Sequence, residues 1–309
     1  MRETCLDQVY QLAKTDPRIV FIGSDLGAGT LRKFKEEMAD RFYMEGISEA
    51  HVVGMAAGMA LEGMIVYVNT ISTFITRRCF EQIAVDVCLH KLNVRLIGNG
   101  GGLVYAPLGP THLAIEDISI LRALPNMTIT AVADAGEMRR LMPQTVDHPG
   151  PIYIRLAKGY DPIVTNDEVP FRIGKGIPMR DGRDALLVTT GITLKSAQEA
   201  AKMLALEGVE TAILHMPTIK PLDTEALLHH AARVRAIVVI EENTIIGGLG
   251  SAVAEVVAEA GLSPAKKFRR IGIPDVFPDR YGSQANLMDH YKINTDQVVS
   301  TVWALLDRK

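Results

Sequence analysis

Short, continuous apolar runs rich in β-branched residues recur along this chain and are separated by longer amphipathic stretches. In the first half these runs are RIVFIGSD (18–25), MIVYVNT (64–70), NVRLIG (93–98), MTITAVAD (127–134) and PIYIRL (151–156). Strands that are apolar at nearly every position suit a parallel sheet that helices cover on both faces. The alternation therefore predicts an α/β fold built from doubly wound, mostly parallel sheets.

The stretch from Lys158 to Gly182 interrupts this alternation with prolines, glycines and a polar middle, which is typical of a linker. The alternation resumes with the runs DALLVTTG (184–191), VETAILHM (209–216), RAIVVIEEN (235–243) and KFRRIGI (267–273). We therefore expect two domains, residues 1–160 and 183–309, joined by a linker at 161–182. A length of 309 residues is ordinary for two compact domains of this kind.

Charge and cysteine content exclude several classes of partner and site. The chain has 33 Lys and Arg residues against 36 Asp and Glu residues, and no basic run, which argues against binding to nucleic acid or an anionic membrane. The first residues, MRETCLDQVY, lack the apolar core of a signal peptide, and no apolar run is long enough to span a bilayer, so we expect a cytoplasmic protein. The three cysteines lack CxxC spacing and predict neither a disulfide framework nor a zinc site.

Glu49 is the first candidate functional residue. It lies in GISEAHVVGMAAGMALEG, where glycine, alanine and methionine predict a helix whose backbone can approach its neighbours closely. A carboxylate in the first turn of a helix is often only a partner of the helix dipole, and that interpretation stays open on spacing alone.

Further candidates follow predicted strands, at the edge of an open α/β sheet where ligands commonly bind. Phe74 and Phe80 lie in STFITRRCFEQI (72–83), and His112 ends the glycine-rich loop GNGGGLVYAPLGPTH (98–112). Arg155 ends the run PIYIR and could bind an anionic group or form a surface ion pair. The segment GSDLGAGT (23–30) matches neither a dinucleotide fingerprint nor a P-loop.

Taken in order, these segments resemble the pyrimidine-binding and C-terminal domains of transketolase and of 1-deoxy-D-xylulose-5-phosphate synthase. GISEAH resembles the motif that holds the glutamate of thiamine-diphosphate enzymes, STF the loop whose aromatic ring packs on the cofactor, and GPTH the loop with a substrate-facing histidine. EENTIIGGLGSAV (241–253) and IGIPDVF (271–277) resemble the C-terminal domain of the same group.

The resemblance implies roles around the cofactor thiamine diphosphate. Glu49 would hydrogen-bond a ring nitrogen of the aminopyrimidine and so promote removal of the thiazolium proton. Phe74 would stack on the pyrimidine, and Asp25 and Leu26 would line the cofactor site. Phe80 would also contact the cofactor, although the segment between STF and FEQ is one residue longer than in some relatives.

The resemblance also implies the substrate contacts. His112 would bind a substrate oxygen where negative charge develops, so the catalytic residues would be Glu49 and His112. Arg155 and Arg2 match positions that hold a substrate phosphate. The substrate loop departs from the family, because Leu108 stands where an Asp is usual and glycines at 100–102 replace polar residues. The usual phosphorylated ketose would therefore be held poorly unless the companion subunit compensates, and we expect an unusual substrate. The resemblance implies a ketose that is phosphorylated or otherwise anionic.

One large part of the family pattern is missing. Full-length transketolases carry a further domain with a Gly-Asp-Gly motif that holds magnesium and the diphosphate, and no GDG occurs in this sequence. The resemblance is therefore to the second subunit of a split transketolase. It implies a companion subunit that carries the Mg²⁺ ligands, an α₂β₂ assembly, and no metal ligands in this chain.

Three functions remain open at this point. The first is transfer of a two-carbon ketol unit from a ketose to an aldose, together with the companion subunit. The second keeps the cofactor but decarboxylates a 2-oxo acid, as in the xylulose synthase or the β subunit of pyruvate dehydrogenase. The third is a noncatalytic assembly protein, which the joint presence of Glu49, Phe74 and His112 disfavours because packing alone requires none of them.

Overall fold

The structure is a computed structural model that describes residues 1–24, 31–157 and 161–307. In chain order the strands are β1 (Ile19–Gly23), β2 (Phe42–Met44), β3 (Ile65–Ile71), β4 (Val94–Asn99), β5 (Thr128–Ala131), β6 (Ile152–Leu156), β7 (Ile177–Arg180), β8 (Ala185–Thr189), β9 (Thr211–His215), β10 (Thr218–Lys220), β11 (Ala236–Thr244) and β12 (Lys267–Ile273).

The helices cover both sheets. They are α1 (Arg2–Thr15), α2 (Arg32–Glu37), α3 (Glu49–Leu61), α4 (Ser72–Arg77), α5 (Phe80–Gln82), α6 (Asp117–Arg122), α7 (Ala135–Leu141), α8 (Gln144–Asp147), α9 (Thr193–Leu206), α10 (Thr224–Ala232), α11 (Leu249–Glu259), α12 (Gln284–His290) and α13 (Thr295–Leu305). One turn of π-helix, Ile83–Cys88, continues α5. None of the helices in the described ranges combines the length and apolar character that crossing a bilayer requires.

The strands form two mostly parallel sheets, as the apolar runs predict. The first sheet has the order β10-β5-β6-β4-β3-β1-β2, and the second has the order β12-β11-β8-β9-β7. All pairings are parallel except those of β10 with β5 and of β7 with β9. The α/β fold class predicted from the sequence is confirmed.

Apolar side chains on both faces explain why the strands lack alternation. In β1, Val20 and Ile22 join one apolar cluster, whereas Ile19 and Phe21 join another on the opposite face. The first cluster continues into the second sheet through residues such as Leu186 of β8, so the two sheets share a continuous core. The three cysteines are free and buried.

Two short strands, β7 and β10, have pairings that the sequence pattern does not predict. Strand β10 follows β9 in the chain but pairs with β5 of the first sheet, with Thr218 opposite Thr130. Strand β7 falls inside the segment 161–182 that was expected to be a linker, yet it forms an edge of the second sheet. Pro178 is compatible with this position because an edge strand does not need every backbone N–H for pairing.

Candidate active site

The carboxyl ends of the parallel strands of the first sheet place the candidate residues. Helix α4 begins directly after β3, and the loop that contains His112 follows β4, the neighbour of β3. Helix α3, which begins with Glu49, leads into β3 and packs against it. Because parallel strands end at the same edge of a sheet, this topology brings the three segments to one place.

Glu49 lies buried at the start of α3. Its side chain is only 5% exposed, and the apolar residues Val52, Val53 and Ala56 bury the same helix against the core. Its Oε2 atom accepts a hydrogen bond from Nη1 of Arg78 at 3.1 Å. In the part of the chain that the structure describes, Oε1 accepts no protein hydrogen bond. A buried carboxylate with one oxygen held and one available can receive a further donor.

Phe74 lies within van der Waals reach of the same arginine. The guanidinium carbon of Arg78 is 3.9 Å from the centre of the Phe74 ring, which is a cation–π contact. Arg78 therefore contacts both Phe74 on α4 and Glu49 on α3. This contact gives the carboxylate and the aromatic ring a fixed relation to each other.

His112 completes the cluster. Its ring centre is 5.1 Å from that of Phe74, with an angle of 64° between the planes. The Thr111 hydroxyl is 2.9 Å from Nδ1 of His112, so a proton donated by that hydroxyl leaves the imidazole proton on Nε2. Glu49, Phe74 and His112, which the sequence singled out on separate segments, thus form one half-buried group, in which Arg78 joins Glu49 to Phe74 and Phe74 contacts His112.

The glycines of the 98–112 loop have a packing reason to be glycine. A Cβ atom on Gly101 would lie 2.5 Å from Nε of Arg155, and a Cβ atom on Gly102 would lie 2.5 Å from the carboxyl carbon of Glu242. Gly102 also has a φ of +67°, which disfavours any side chain. The loop therefore excludes side chains at these positions because its backbone passes directly over Arg155 of β6 and Glu242 of the second domain.

Arg155 has a buried structural position. Its Nε and Nη2 atoms donate to Asp117 at 2.8 and 3.1 Å, and Nη2 also donates to the carbonyls of Ala114 and Glu242. Burial alone would lower the pKa of Arg155, but the Asp117 carboxylate outweighs burial and raises it above the ordinary value. The sequence left open an anion contact or a surface ion pair, and the structure contains an ion pair that is buried. The substrate-phosphate role implied for Arg155 stays a prediction, although the donors of Nε and Nη2 already have protein acceptors.

The remaining predicted residues lie apart from the cluster or outside the description. Arg2 begins α1 and lies near Tyr105 of the 98–112 loop, where burial raises the pKa of Tyr105 and the Arg2 charge partly offsets that effect. Phe80 begins α5 and is 38% exposed. Among the ring contacts of the described residues, Phe74 contacts His112 and Arg78 but not Phe80. Asp25 and Leu26 fall outside the described residues.

The sequence analysis did not single out Arg77 and Arg78, which lie beside this cluster. The two consecutive cations between STF and FEQ, close to the candidate aromatic ring, were the available signal. Within the described residues no group of three or more His, Cys, Asp or Glu side chains could hold a metal ion.

Comparison with known families identifies the two halves of the chain. Residues 1–160 match the family model described as transketolase, pyrimidine binding domain, and residues 174–298 match transketolase, C-terminal domain. A putative uncharacterized transketolase family protein of Sinorhizobium fredii is 39% identical over 96% of this chain and 86% of its own length. A 6-deoxy-6-sulfo-D-fructose transketolase subunit of Clostridium sp. is 34% identical over 100% of this chain and 95% of its own length.

Longer relatives and a solved structure agree with this result. The 1-deoxy-D-xylulose-5-phosphate synthase of Desulforudis audaxviator is 37% identical over 95% of this chain, which spans only 46% of that enzyme. A solved structure described as split gene transketolase, inactive beta4 tetramer, superposes with a TM-score of 0.90 at 35% identity, over 100% of this chain and 98% of that one. The resemblance stated from the motifs is confirmed.

Proposed function

This chain belongs to the transketolase family as a split-type subunit, and we propose that it supplies the pyrimidine-binding half of a thiamine-diphosphate site that a companion subunit completes. The observation that carries the proposal is the grouping of Glu49, Phe74 and His112, in which Arg78 joins Glu49 to Phe74 and Phe74 contacts His112. These residues come from three segments that are distant in sequence. Packing alone does not require a carboxylate, an aromatic ring and an imidazole in that arrangement.

The chemistry of these side chains fits an aminopyrimidine. Such a ring presents nitrogen atoms at its edge, which a carboxyl group can hydrogen-bond, and flat faces, on which an aromatic ring can stack. Glu49 offers a buried carboxyl oxygen, and Phe74 offers the aromatic ring. We propose that both bind the pyrimidine, as the resemblance implies. Asp25, Leu26 and Phe80 stay predicted cofactor contacts.

When bound, thiamine diphosphate supplies the carbon nucleophile and the electron sink of the transfer. Glu49 holds and moves a proton at a pyrimidine ring nitrogen, because its carboxyl group is buried and has one oxygen that is not held by Arg78. His112 donates a hydrogen bond from Nε2 to the substrate oxygen on which negative charge develops. Phe74 excludes water from one face of the pyrimidine.

We propose that the ligands of Mg²⁺ and the contacts to the diphosphate lie on the companion subunit, in an α₂β₂ assembly. The length comparison supports this division, because the chain spans only 46% of the single-chain synthase from Desulforudis audaxviator. The solved relative composed of β chains is described as inactive. By the same reasoning, the present chain alone lacks transfer activity. A cytoplasmic location stays a prediction.

The proposed reaction is transfer of a two-carbon ketol unit from an anionic ketose to an aldose. The relative from Clostridium is named for a sulfonated sugar, which supports an anionic donor. Arg2 is the cation proposed to contact that anionic group, since Arg155 is already held by Asp117.

Decarboxylation of a 2-oxo acid is the second candidate, favoured by the similarity to the xylulose synthase. Release of carbon dioxide from pyruvate by the assembled enzyme would identify that reaction.

Calorimetric titration with thiamine diphosphate and Mg²⁺ tests the shared site. We expect binding when the chain is co-purified with a companion subunit that carries Gly-Asp-Gly, and at least tenfold weaker binding to the chain alone. Equal binding to the isolated chain would contradict the division of the site. The absence of binding to a verified, folded complex would contradict the cofactor itself.

The Glu49→Gln variant tests the catalytic group. We expect kcat of the complex to fall at least about 100-fold, because loss of a general acid–base group costs about 10²–10⁴ in rate. The matched control is Glu62→Gln, which changes an exposed glutamate at the other end of α3 and should leave the rate within twofold. A Glu49→Gln complex with the rate of the control would contradict the proposed role.

A further inference from the structure

The peptide that contains His112 has little regular structure of its own. The backbone N–H of His112 donates to the carbonyl of Gly109 at 3.0 Å, and in the part of the chain that the structure describes its ring contacts the side chains of Thr111 and Phe74. A short turn of this kind holds an imidazole in place only if the turn itself is held. The position of His112 therefore depends on whatever fixes the segment from Gly109 to Glu116.

Arg77 is the side chain that holds this segment on both sides of His112, whereas Arg155 holds it farther along, at the carbonyl of Ala114. The Nη2 atom of Arg77 donates to the carbonyl of Leu113 at 3.0 Å, its Nη1 lies 3.5 Å from the carbonyl of Pro110, and its Nε and Nη2 both donate to the carboxylate of Glu116. The two carbonyls lie on either side of His112. A planar guanidinium suits this task because its donors point in fixed directions, so that one cation can hold a carboxylate and backbone carbonyls together.

Arg78, the next residue, contacts the groups on the other side of the site. Arg78 contacts Glu49 and Phe74, the groups proposed to bind the cofactor, whereas Arg77 holds the turn that contains His112, the group proposed to bind substrate. Consecutive residues at the end of one short helix thus hold the two sides of the cluster. A displacement of α4 would move both together.

On the basis of the proposed function, we propose that Arg77 is a positioning residue for His112, acting through the Pro110 and Leu113 carbonyls and anchored by Glu116. Its effect is on the substrate side of the reaction and not on cofactor binding. The alternative is an ordinary surface ion pair, since the side chains of Arg77 and Glu116 are 31% and 26% exposed. An ion pair of that kind contributes little to stability and nothing to turnover.

The experiment uses the complete complex with its companion subunit and compares Arg77→Ala with Arg32→Ala. Arg32 forms an exposed ion pair with Glu36, so that control removes a surface ion pair without touching the site. We expect Arg77→Ala to lower kcat/KM for the ketose about 10- to 100-fold, the range that a small misplacement of a reacting group produces. The Kd for thiamine diphosphate should stay within twofold and Tm within a few degrees, and Arg77→Lys should restore only part of the activity because it cannot reproduce the planar fork.

A double-mutant cycle separates positioning from any general effect. If Arg77 acts through His112, the Arg77→Ala change costs nothing further once His112 is already Ala. An undiminished loss in the His112→Ala background would overturn the proposal, as would Arg77→Ala activity equal to that of Arg32→Ala. If Arg77→Ala fails to fold, Arg77→Lys completes the same cycle with the same two outcomes. Loss of activity in Glu49→Gln with full activity in Arg77→Ala would leave the proposed function intact and reject only this inference.

Discussion

At the scale of single residues, one guanidinium connects the two groups proposed to bind the pyrimidine. Arg78 donates to Glu49 at 3.1 Å and lies 3.9 Å from the centre of the Phe74 ring, while its own side chain is 48% exposed. The carboxylate is thereby held in one rotamer before any ligand arrives. Holding a site in its binding geometry reduces the entropy lost when the ligand binds.

Arg78→Ala should therefore weaken binding of thiamine diphosphate to the complex by about tenfold, because about 1.4 kcal/mol of preorganisation corresponds to that factor. The affinity of the Arg78→Lys complex should lie between those of the native and Arg78→Ala complexes, since an ammonium keeps the charge near Glu49 but loses the planar contact with Phe74. Isothermal titration measures the Kd, with Arg32→Ala as the surface control. Unchanged affinity in Arg78→Ala would show that Glu49 is positioned without the arginine.

The same scale shows what could be predicted of the site. The motifs identified Glu49, Phe74 and His112, which the structure places together. For Arg155 the sequence indicated a ligand-binding edge or the surface, whereas the structure buries it. Strand β6 is buried at every position, so its sequence pattern does not show which side chains share a face. Tyr153 and Arg155 are two residues apart, share a face, and both donate to Asp117. The acidic partner comes from α6, and no local pattern connects the two segments.

At the scale of elements, the long buried strands were predictable and the short edge strands were not. Every apolar run of the sequence became a strand, whereas β2, β7 and β10 have only three or four residues each and depend on tertiary pairing. The amphipathic stretch TLRKFKEEMADRF (30–42) is typical of a crossover helix, yet α2 ends at Glu37 because of such a tertiary pairing. Phe42 leaves the helical pattern, pairs with Phe21 in the sheet and stacks on its ring at 5.3 Å.

The 98–112 loop offers a test of backbone packing at this scale. Gly102→Ala would place a Cβ atom 2.5 Å from the Glu242 carboxyl group, in addition to the strain of a φ of +67°. Gly208 has a similar φ of +70° with nothing within 4 Å, so Gly208→Ala has the strain without the collision. We expect Gly102→Ala to unfold at lower urea concentration than Gly208→Ala, with a difference of about 1–3 kcal/mol. Equal stability of the two variants would mean that the loop moves aside freely.

At the scale of the whole molecule, the second domain supports the substrate loop of the first. Glu242 of β11 accepts hydrogen bonds from the backbone N–H of Leu103 at 2.9 Å and from Nε2 of Gln284 at 2.8 Å. Strand β10 pairs with β5, and Arg155 of the first domain donates to the Glu242 carbonyl. Apolar patterning predicted two sheets but could not predict the contacts of Glu242 with Leu103 and Arg155 or the pairing of β10 with β5, because each joins residues more than 80 positions apart.

This interdomain contact makes stability depend on pH. Burial raises the pKa of Glu242 from its usual 4.5 to about 7, although Arg155 and the hydrogen bonds from Gln284 and Leu103 act in the opposite direction. The folded chain therefore binds this proton more tightly than the unfolded chain does. The stabilisation that comes from protonated Glu242 is fully present below pH 4.5 and is lost as the pH rises through about 7.

Glu242→Gln removes this titration while keeping an oxygen that can accept the same two hydrogen bonds. We therefore expect the free energy of unfolding to fall less between pH 5 and pH 8 in Glu242→Gln than in the native chain, by at most about 3 kcal/mol. Urea unfolding at one-unit steps of pH measures the difference, and the exposed Glu259→Gln should follow the native profile. Parallel profiles for the native chain and Glu242→Gln would show that Glu242 is ionised throughout this range. In that case Arg155 and the two hydrogen bonds would outweigh burial, and the contact between the domains would be a charged one at every pH tested.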